Sequence, residues 1–442
     1  MLKLIETSAE LLRKQGIDSF DIYGVDSAGF SVEVKEGKVE KIKVPQRKGL
    51  AIRVVVEDKL GFSYTNDVSE DGIRVAIECA RENARNSSPD EYSFSMPSES
   101  SLDFPLYDDT YPSIPVERKV EVALELEDKC RSLDRRVDRV RKASYSDSFS
   151  TVYYCNSNDH LFSYTVSNYS LSVLLAAKEG DDSQVGWDYD VRRFFTELNP
   201  DLVAARAVES AVELLGASPM ETKRIPVIFK NVVFAELVEA LSGAFLGHNV
   251  MRGKSLFADK LSREVASHVL NIYDDPFQRE GMGSFPFDDE GVPAKRTAII
   301  ERGVLKNFLV DMYSAKKLGL PLTGNGIRSS LASLPQPGIS NLVIERGALG
   351  LEELVKTPEE VLIVTDAMGI HTVNAITGEF SVGVSGVYYK DGRRVQPVTG
   401  MTVAGNLKDL LMNITEVGRD QRWVGNICSP SVLVKELTVG GE

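Results

Sequence analysis

The strongest constraint on the fold is a two-residue period of apolar side chains that runs through two long stretches of the first half of the chain. From Asp21 to Tyr64 the sequence includes SVEVKEGKVEKIKV and then GLAIRVVVEDKLGFSYT, and the stretch from Val140 to Thr196 alternates in the same way. A strand sends successive side chains to opposite faces, so this period commits both stretches to half-buried sheet. Glu-Gly-Lys and Glu-Asp-Lys-Leu-Gly interrupt the first stretch and CNSNDH the second. Turn residues at those points predict antiparallel neighbours, the first stretch forming a meander.

Helical spacing surrounds these strands. LIETSAELLRKQGI stops at Gly16, which tolerates a left-handed cap. VSEDGIRVAIECARENAR offers Ser69 as a cap and sets Ile73, Ala76, Ile77 and Ala80 on one face. PVERKVEVALELEDKCRSLD opens at Pro115, and NPDLVAARAVESAVELLGA has Asn199 as cap, Pro200 in the first turn and Gly216 at the stop. Residues 87–115, rich in Ser, Pro and Asp and without periodicity, predict a surface loop or linker free to embrace a partner subunit.

ASPMETKRIP marks a boundary, dividing the chain into 1–218, an N-terminal α/β domain with antiparallel sheet and helices, and 219–442, a β-rich, barrel-like domain. The fold class is α+β. In the second half TAIIERGVLKNFLVD predicts a hairpin, SAKKLGL a short helix, EEVLIVTDAM and EFSVGVSGVYYKDGRRVQPV a curled sheet, and NLKDLLMNITEVG its one clear helix.

At 442 residues the chain can bury more than one core, and 43% hydrophobic with 26% charged residues is an ordinary globular balance. No apolar run approaches the roughly 18 residues of a membrane span. The N-terminal segment mixes acids and bases where a signal peptide needs an apolar run, so a cytoplasmic location is expected. Cys79, Cys130, Cys155 and Cys428 lack any paired spacing and read as reduced thiols. A net charge of −14 repels phosphate backbones, and the basic stretches KEGKVEKIKVPQRK and DRRVDRVRK are interrupted, which disfavours direct nucleic-acid binding.

The chemistry-bearing segment is NVVFAELVEALSGAFLGHNVMRG, residues 231–253. At about 100° per residue, Val233, Leu237, Leu241 and Phe245 form a stripe flanked by Phe234 and Val238, while Glu236, Glu239 and Gly243 gather opposite on a solvated face. Asp288, Asp289 and Glu290 are either an acid pair or divalent-ion site, because adjacent carboxylates attract hard cations, or plain turn chemistry before a proline. Thr323-Gly324-Asn325-Gly326 lacks the lysine and strand-to-helix context of a phosphate loop, which excludes nucleotide binding. His160, His268 and His371 have no ligand spacing, and Cys428 reads as a buried structural thiol.

DDPFQREGMGSFPFDDEGVPAKRTAIIERGVLKNFLVDMYSAKKLGLPLTGNG, EFSVGVSGVYYKDGRRVQPVTGMTVAGNLKDLLMNITEVGRD and the end SPSVLVKELTVGG resemble the TldD/PmbA family, whose PmbA branch is also called TldE. The resemblance extends from the N-terminal helix to the last residues. It implies that TldD-type subunits hold zinc through HExxxH on the helix matching residues 231–242, with a cysteine from a glycine-rich C-terminal loop. Aligned on RGKSLF, that window falls on Val238-Glu239-Ala240-Leu241-Ser242-Gly243, so the glutamate stands and both histidines are absent. A catalytic zinc needs three protein ligands around an open position, and without it Glu239 faces ordinary water.

The resemblance therefore implies no catalytic residue and no metal here, with zinc in a TldD-type partner. It implies a PmbA/TldE-like subunit in a heterodimer with a TldD-like HExxxH subunit, or a homodimer, acting on unfolded or extended peptides without membrane or direct nucleic-acid contact. TGNGIRSSLASLPQPGISN is closer in character to the TldD branch. Two alternatives stay open: an autonomous metal- or carboxylate-dependent peptidase using Asp288, Asp289, Glu290 and His248, and a regulatory binder of DNA gyrase, the role after which the family was once named.

Overall fold

The computed structural model describes residues 1–441. The first half contains α1 (Leu2–Lys14), β1 (Phe20–Lys35), β2 (Lys38–Lys43), β3 (Gln46–Val56), β4 (Lys59–Thr65), α2 (Glu70–Arg85), α3 (Val116–Leu133), β5 (Val137–Asn156), β6 (Leu161–Glu179), β7 (Asp182–Arg192) and α4 (Pro200–Glu213). Its strands form one seven-stranded sheet in the order β4-β3-β1-β5-β6-β7, with β2 added to β1. The first stretch is therefore not a simple meander. β5 takes one edge of β1, while β3 beside Phe20–Ala28 and β2 beside Ser31–Lys35 share the other. The ladder breaks between them at Val44 and Pro45, where proline has no N–H to donate.

Helices cover the sheet in two clusters. Ile5 and Leu12 of α1 pack with Ile73 and Ile77 of α2 over β1 and β3, and Val122 and Leu126 of α3 pack with Val203 and Ala207 of α4 over β5 and β6. Ser69 and Asn199 cap α2 and α4, accepting from the backbone N–H of Gly72 and Leu202. Gly61 in β4 and Gly186 in β7 let those helices ride directly on the strands, since a Cβ at either would overlap the carbonyl of Ala80 or Ala207.

The second half opens with β8 (Lys223–Phe229) and α5 (Asn231–Ser242). β8 runs parallel to strand Glu360–Met368 and antiparallel to Val432–Gly440. Strands Glu379–Lys390 and Arg393–Asn406 continue the sheet, and the latter pairs back onto Val432–Gly440, closing it as a barrel. A second sheet of short strands includes Ile272–Asp274, Leu342–Ile344, Arg422–Val424 and Ile427–Ser429. Phe229, Phe234, Val238, Ile272, Leu342 and Val403 belong to one core that joins both sheets and α5.

Two segments depart from the sequence reading. Only Leu407–Met412 of NLKDLLMNITEVG is helical; Ile414–Val417 becomes a strand on Val432–Val434, because the buried side chains of Ile414 and Val417 complete the sheet's core. Met312–Leu318 is the short helix expected of SAKKLGL, and Leu351–Lys356 is a further helix that the pattern did not single out. Residues 87–115 do not drape freely over the surface. Phe94, Ser95 and Leu106 are buried, Asp90 accepts from Lys317 and Tyr313, and Tyr92 stacks on Tyr313, so the segment straps the two halves together. No helix among the described residues is long and apolar enough to cross a membrane.

Candidate functional site

α5 is shorter than its pattern predicts. It ends at Ser242, Gly243–Phe245 make a 3₁₀ turn, and Gly247–Met251 form a separate short helix. The break is fixed by Asn249, whose Nδ2 donates to the Gly243 carbonyl at 2.7 Å. Val238 is 1% exposed and lies in the apolar core. A Cβ on Gly243 would stand 3.3 Å from Asn249 Nδ2.

The two acids of α5 separate. Glu239 is exposed, but Glu236 is half-buried instead of solvated. Burial, then Asp366 and Glu239, push the Glu236 carboxyl up to about 7. Asp366 is itself raised by burial. Strand Arg422–Val424 packs against α5. Beyond it Tyr189, Arg192 and Arg206 face Arg422 and Trp423 across a cleft of about 260 Å³. Its walls are joined by Arg422 Nη2 to Asp188 at 2.6 Å and by Gly425 N–H to the Tyr189 hydroxyl at 2.9 Å.

A zinc site of the HExxxH kind does not fit these residues. Val238 presents hydrocarbon to hydrocarbon, and Gly243 has left the helix and carries no donor, so neither can supply a ligand. His248 lies on the short helix beyond the turn, with its Nδ1 buried and unpartnered, and burial and Arg252 favour the neutral ring. Cys428 is buried in Ile427–Ser429, its thiol pushed up to about 12 by burial. His160 is enclosed by Tyr154, Phe162 and Phe287, whereas His268 and His371 are exposed. Among the described residues no group of three or more His, Cys, Asp or Glu side chains is arranged to hold a metal ion.

Asp288, Asp289 and Glu290 do not converge. Asp288 accepts the backbone N–H groups of Glu290, Val292 and Gly326 at 2.8–2.9 Å. Asp289 accepts from the Arg328 N–H at 2.7 Å. Glu290 accepts from Arg53 Nη1 at 2.9 Å and the Met312 N–H at 2.7 Å. Asp288 and Glu290 are buried and Asp289 half-buried, and desolvation raises each carboxyl's affinity for a proton. Each is committed to its own donors, which is the turn-forming reading. Thr323 is likewise structural, bonding both backbone groups of Val310, and Asn325 donates to Asp274 at 2.7 Å.

Sequence reasoning missed Arg53 and Asp21. Arg53 holds Asp21 across paired strands while reaching Glu290 in the other half, a relation that no local spacing signals.

Family models match almost the whole chain. PmbA/TldA metallopeptidase domain 1 matches residues 20–84, the central domain 109–215 and the C-terminal domain 222–441. The chain belongs to the PmbA/TldD metallopeptidase family. Metalloprotease PmbA of Escherichia coli O157:H7 is 31% identical over 441 residues, covering 99% of this chain and 95% of that protein. A Thermotoga maritima protein, whose name connects it with modulation of a DNA gyrase, superposes with a TM-score of 0.91 at 27% identity and covers 99% of both chains. TldE of Thermococcus kodakarensis shares the fold, with a TM-score of 0.89 at 23% identity over 98% of this chain and 99% of its own. Within the PmbA/TldD fold, the first two matched domains contribute strands to one continuous sheet.

Proposed function

We propose that this chain is the PmbA/TldE-like, zinc-free subunit of a PmbA/TldD protease that acts on unfolded or extended peptides in the cytoplasm. The observation that carries the reading is the state of α5: a core valine at 238 and a side-chain-free turn at 243 flank Glu239, where a zinc ligand pair would be needed. Similarity to a protein named metalloprotease PmbA supports the branch. In this reading zinc resides in a TldD-like HExxxH partner, and the present chain supplies scaffold and substrate access. The donors that already occupy Asp288, Asp289 and Glu290 favour this reading over the autonomous-peptidase alternative.

The test is to purify the chain alone and together with an HExxxH-bearing paralogue from the same genome, then measure zinc content and cleavage of an unstructured casein-type substrate. The expected result is no stoichiometric zinc and no chelator-sensitive cleavage by the isolated chain, with both appearing in a copurifying pair. Stoichiometric zinc with chelator-sensitive cleavage by this chain alone overturns it.

A further inference from the structure

The basic stretch 38–48 and the loop after Thr323-Gly324-Asn325-Gly326 are brought together by the fold, although nothing in the reading above uses either. β2 is exposed along its whole length, and from Lys38 to Lys48 the chain carries Lys38, Lys41, Lys43, Arg47 and Lys48 against one acid, Glu40. Arg47 and Lys48 then line a groove of about 1240 Å³ between the middle of the N-terminal sheet and Arg328–Ala332 of the C-terminal half. Asp26 pairs with Lys48 at 3.2 Å, and Asp147 is already bonded by Tyr111, Tyr145 and Lys119. The groove is thus cationic in a chain of net charge −14.

Arg328, at the groove's edge, is 8% exposed. Its Cζ lies 5.1 Å from the Tyr23 ring centroid and 5.8 Å from that of Phe62. Nη1 donates to the Ser333 carbonyl at 2.6 Å, but Nε and Nη2 have no partner and the guanidinium forms no ion pair among the described residues. Asp21 and Asp289 offset part of its charge without touching it, but buried N–H donors left without acceptors are costly, so a partner that completes them gains more than it would at the surface. Nε–H and Nη2–H form one edge of the guanidinium, the side-on fork that matches the two oxygens of a carboxylate.

We propose that this groove binds an acidic segment of an extended polypeptide, with Arg47 and Lys48 attracting it and the Nε/Nη2 edge of Arg328 receiving a carboxylate. The exposed residues Ser329, Ser330 and Ala332 line the groove beside Arg328. The carboxylate chemistry follows from Arg328; that the carboxylate belongs to a peptide rests on the proposed function.

The test measures fluorescence anisotropy of a labelled unstructured peptide bearing a central Glu-Glu, and of its Gln-Gln counterpart, on the full chain. The wild type is expected to bind the Glu-Glu peptide at least about tenfold more tightly, the worth of a charge-assisted fork. Arg328→Lys, which keeps charge but not the fork, cuts the preference to the few-fold that Arg47 and Lys48 supply. Because that site is buried, the surface pair Arg47→Gln/Lys48→Gln serves as a second variant and weakens Glu-Glu binding several-fold. In parallel, glutarate is expected to raise the Tm of the wild type and not of Arg328→Met. Glutarate protection without peptide binding keeps the carboxylate site and removes the peptide reading. Equal binding of both peptides together with no glutarate protection overturns the proposal, as does protection by inorganic phosphate with none by glutarate.

Discussion

Arg53 Nη1 donates to Glu290 Oε1 at 2.9 Å, joining β3 of the N-terminal sheet to the buried turn of the C-terminal half. The same guanidinium grips both carboxylate oxygens of Asp21, so one arginine neutralises two buried acids from different parts of the chain. Tyr154 and Ser95 complete the junction, both donating to the Glu290 carbonyl, at 2.8 and 2.7 Å.

Arg53→Met is expected to destabilise the fold by about 3–5 kcal/mol, because it strands Asp21 and Glu290 as unpaired buried charges. Urea unfolding checks this. Arg53→Met/Glu290→Gln should recover part of the loss, and a double variant no more stable than the single one would show that the pairing with Glu290 contributes nothing.

Glu236 gives the fold a pH dependence of definite sign. Its carboxyl rises from 4.5 to about 7 in the folded chain, so the folded state holds the proton more tightly than the unfolded one. The stability this contributes is fully present below about pH 4.5 and lost as pH rises through about 7. Glu236→Gln should therefore gain stability relative to the wild type across that window, by about 1 kcal/mol at pH 8 once partial solvent contact is discounted. Melting curves at pH 4.5 and pH 8 give the comparison; a constant offset between the two proteins would refute it.

Gly61→Ala is expected to cost about 1–3 kcal/mol, since the added methyl meets the Ala80 carbonyl and must push α2 off β4. The same substitution at Gly37, where a Cβ meets nothing within 4 Å but φ is +69°, tests left-handed backbone strain alone. Thermal unfolding of the two variants separates crowding from strain.

Thiol reactivity should follow burial. Cys79 is exposed, while burial pushes Cys130 and Cys428 up to about 12 and Cys155 up to about 11. A chromogenic disulfide reagent is expected to titrate one thiol rapidly at pH 8 and all four in denaturant. Rapid reaction of Cys428 in the native chain would mean that its strand opens readily.

The sequence by itself determined the elements whose signals are local: strand periods in β1, β3, β5 and β6, the Ser69 and Asn199 caps, the helix stop at Gly16, and the loss of both histidines around Glu239. Each needs only neighbours within a turn or a hairpin, where propensity and periodicity act directly. Only the tertiary structure decided that β2 and β3 share an edge of β1, that Asp288, Asp289 and Glu290 turn to separate donors, that Glu236 is half-buried, and that Arg328 stands unpaired between Tyr23 and Phe62. Charge, burial and hydrogen-bond completion depend on which distant segments meet, and desolvation acts on that meeting, not on spacing along the chain.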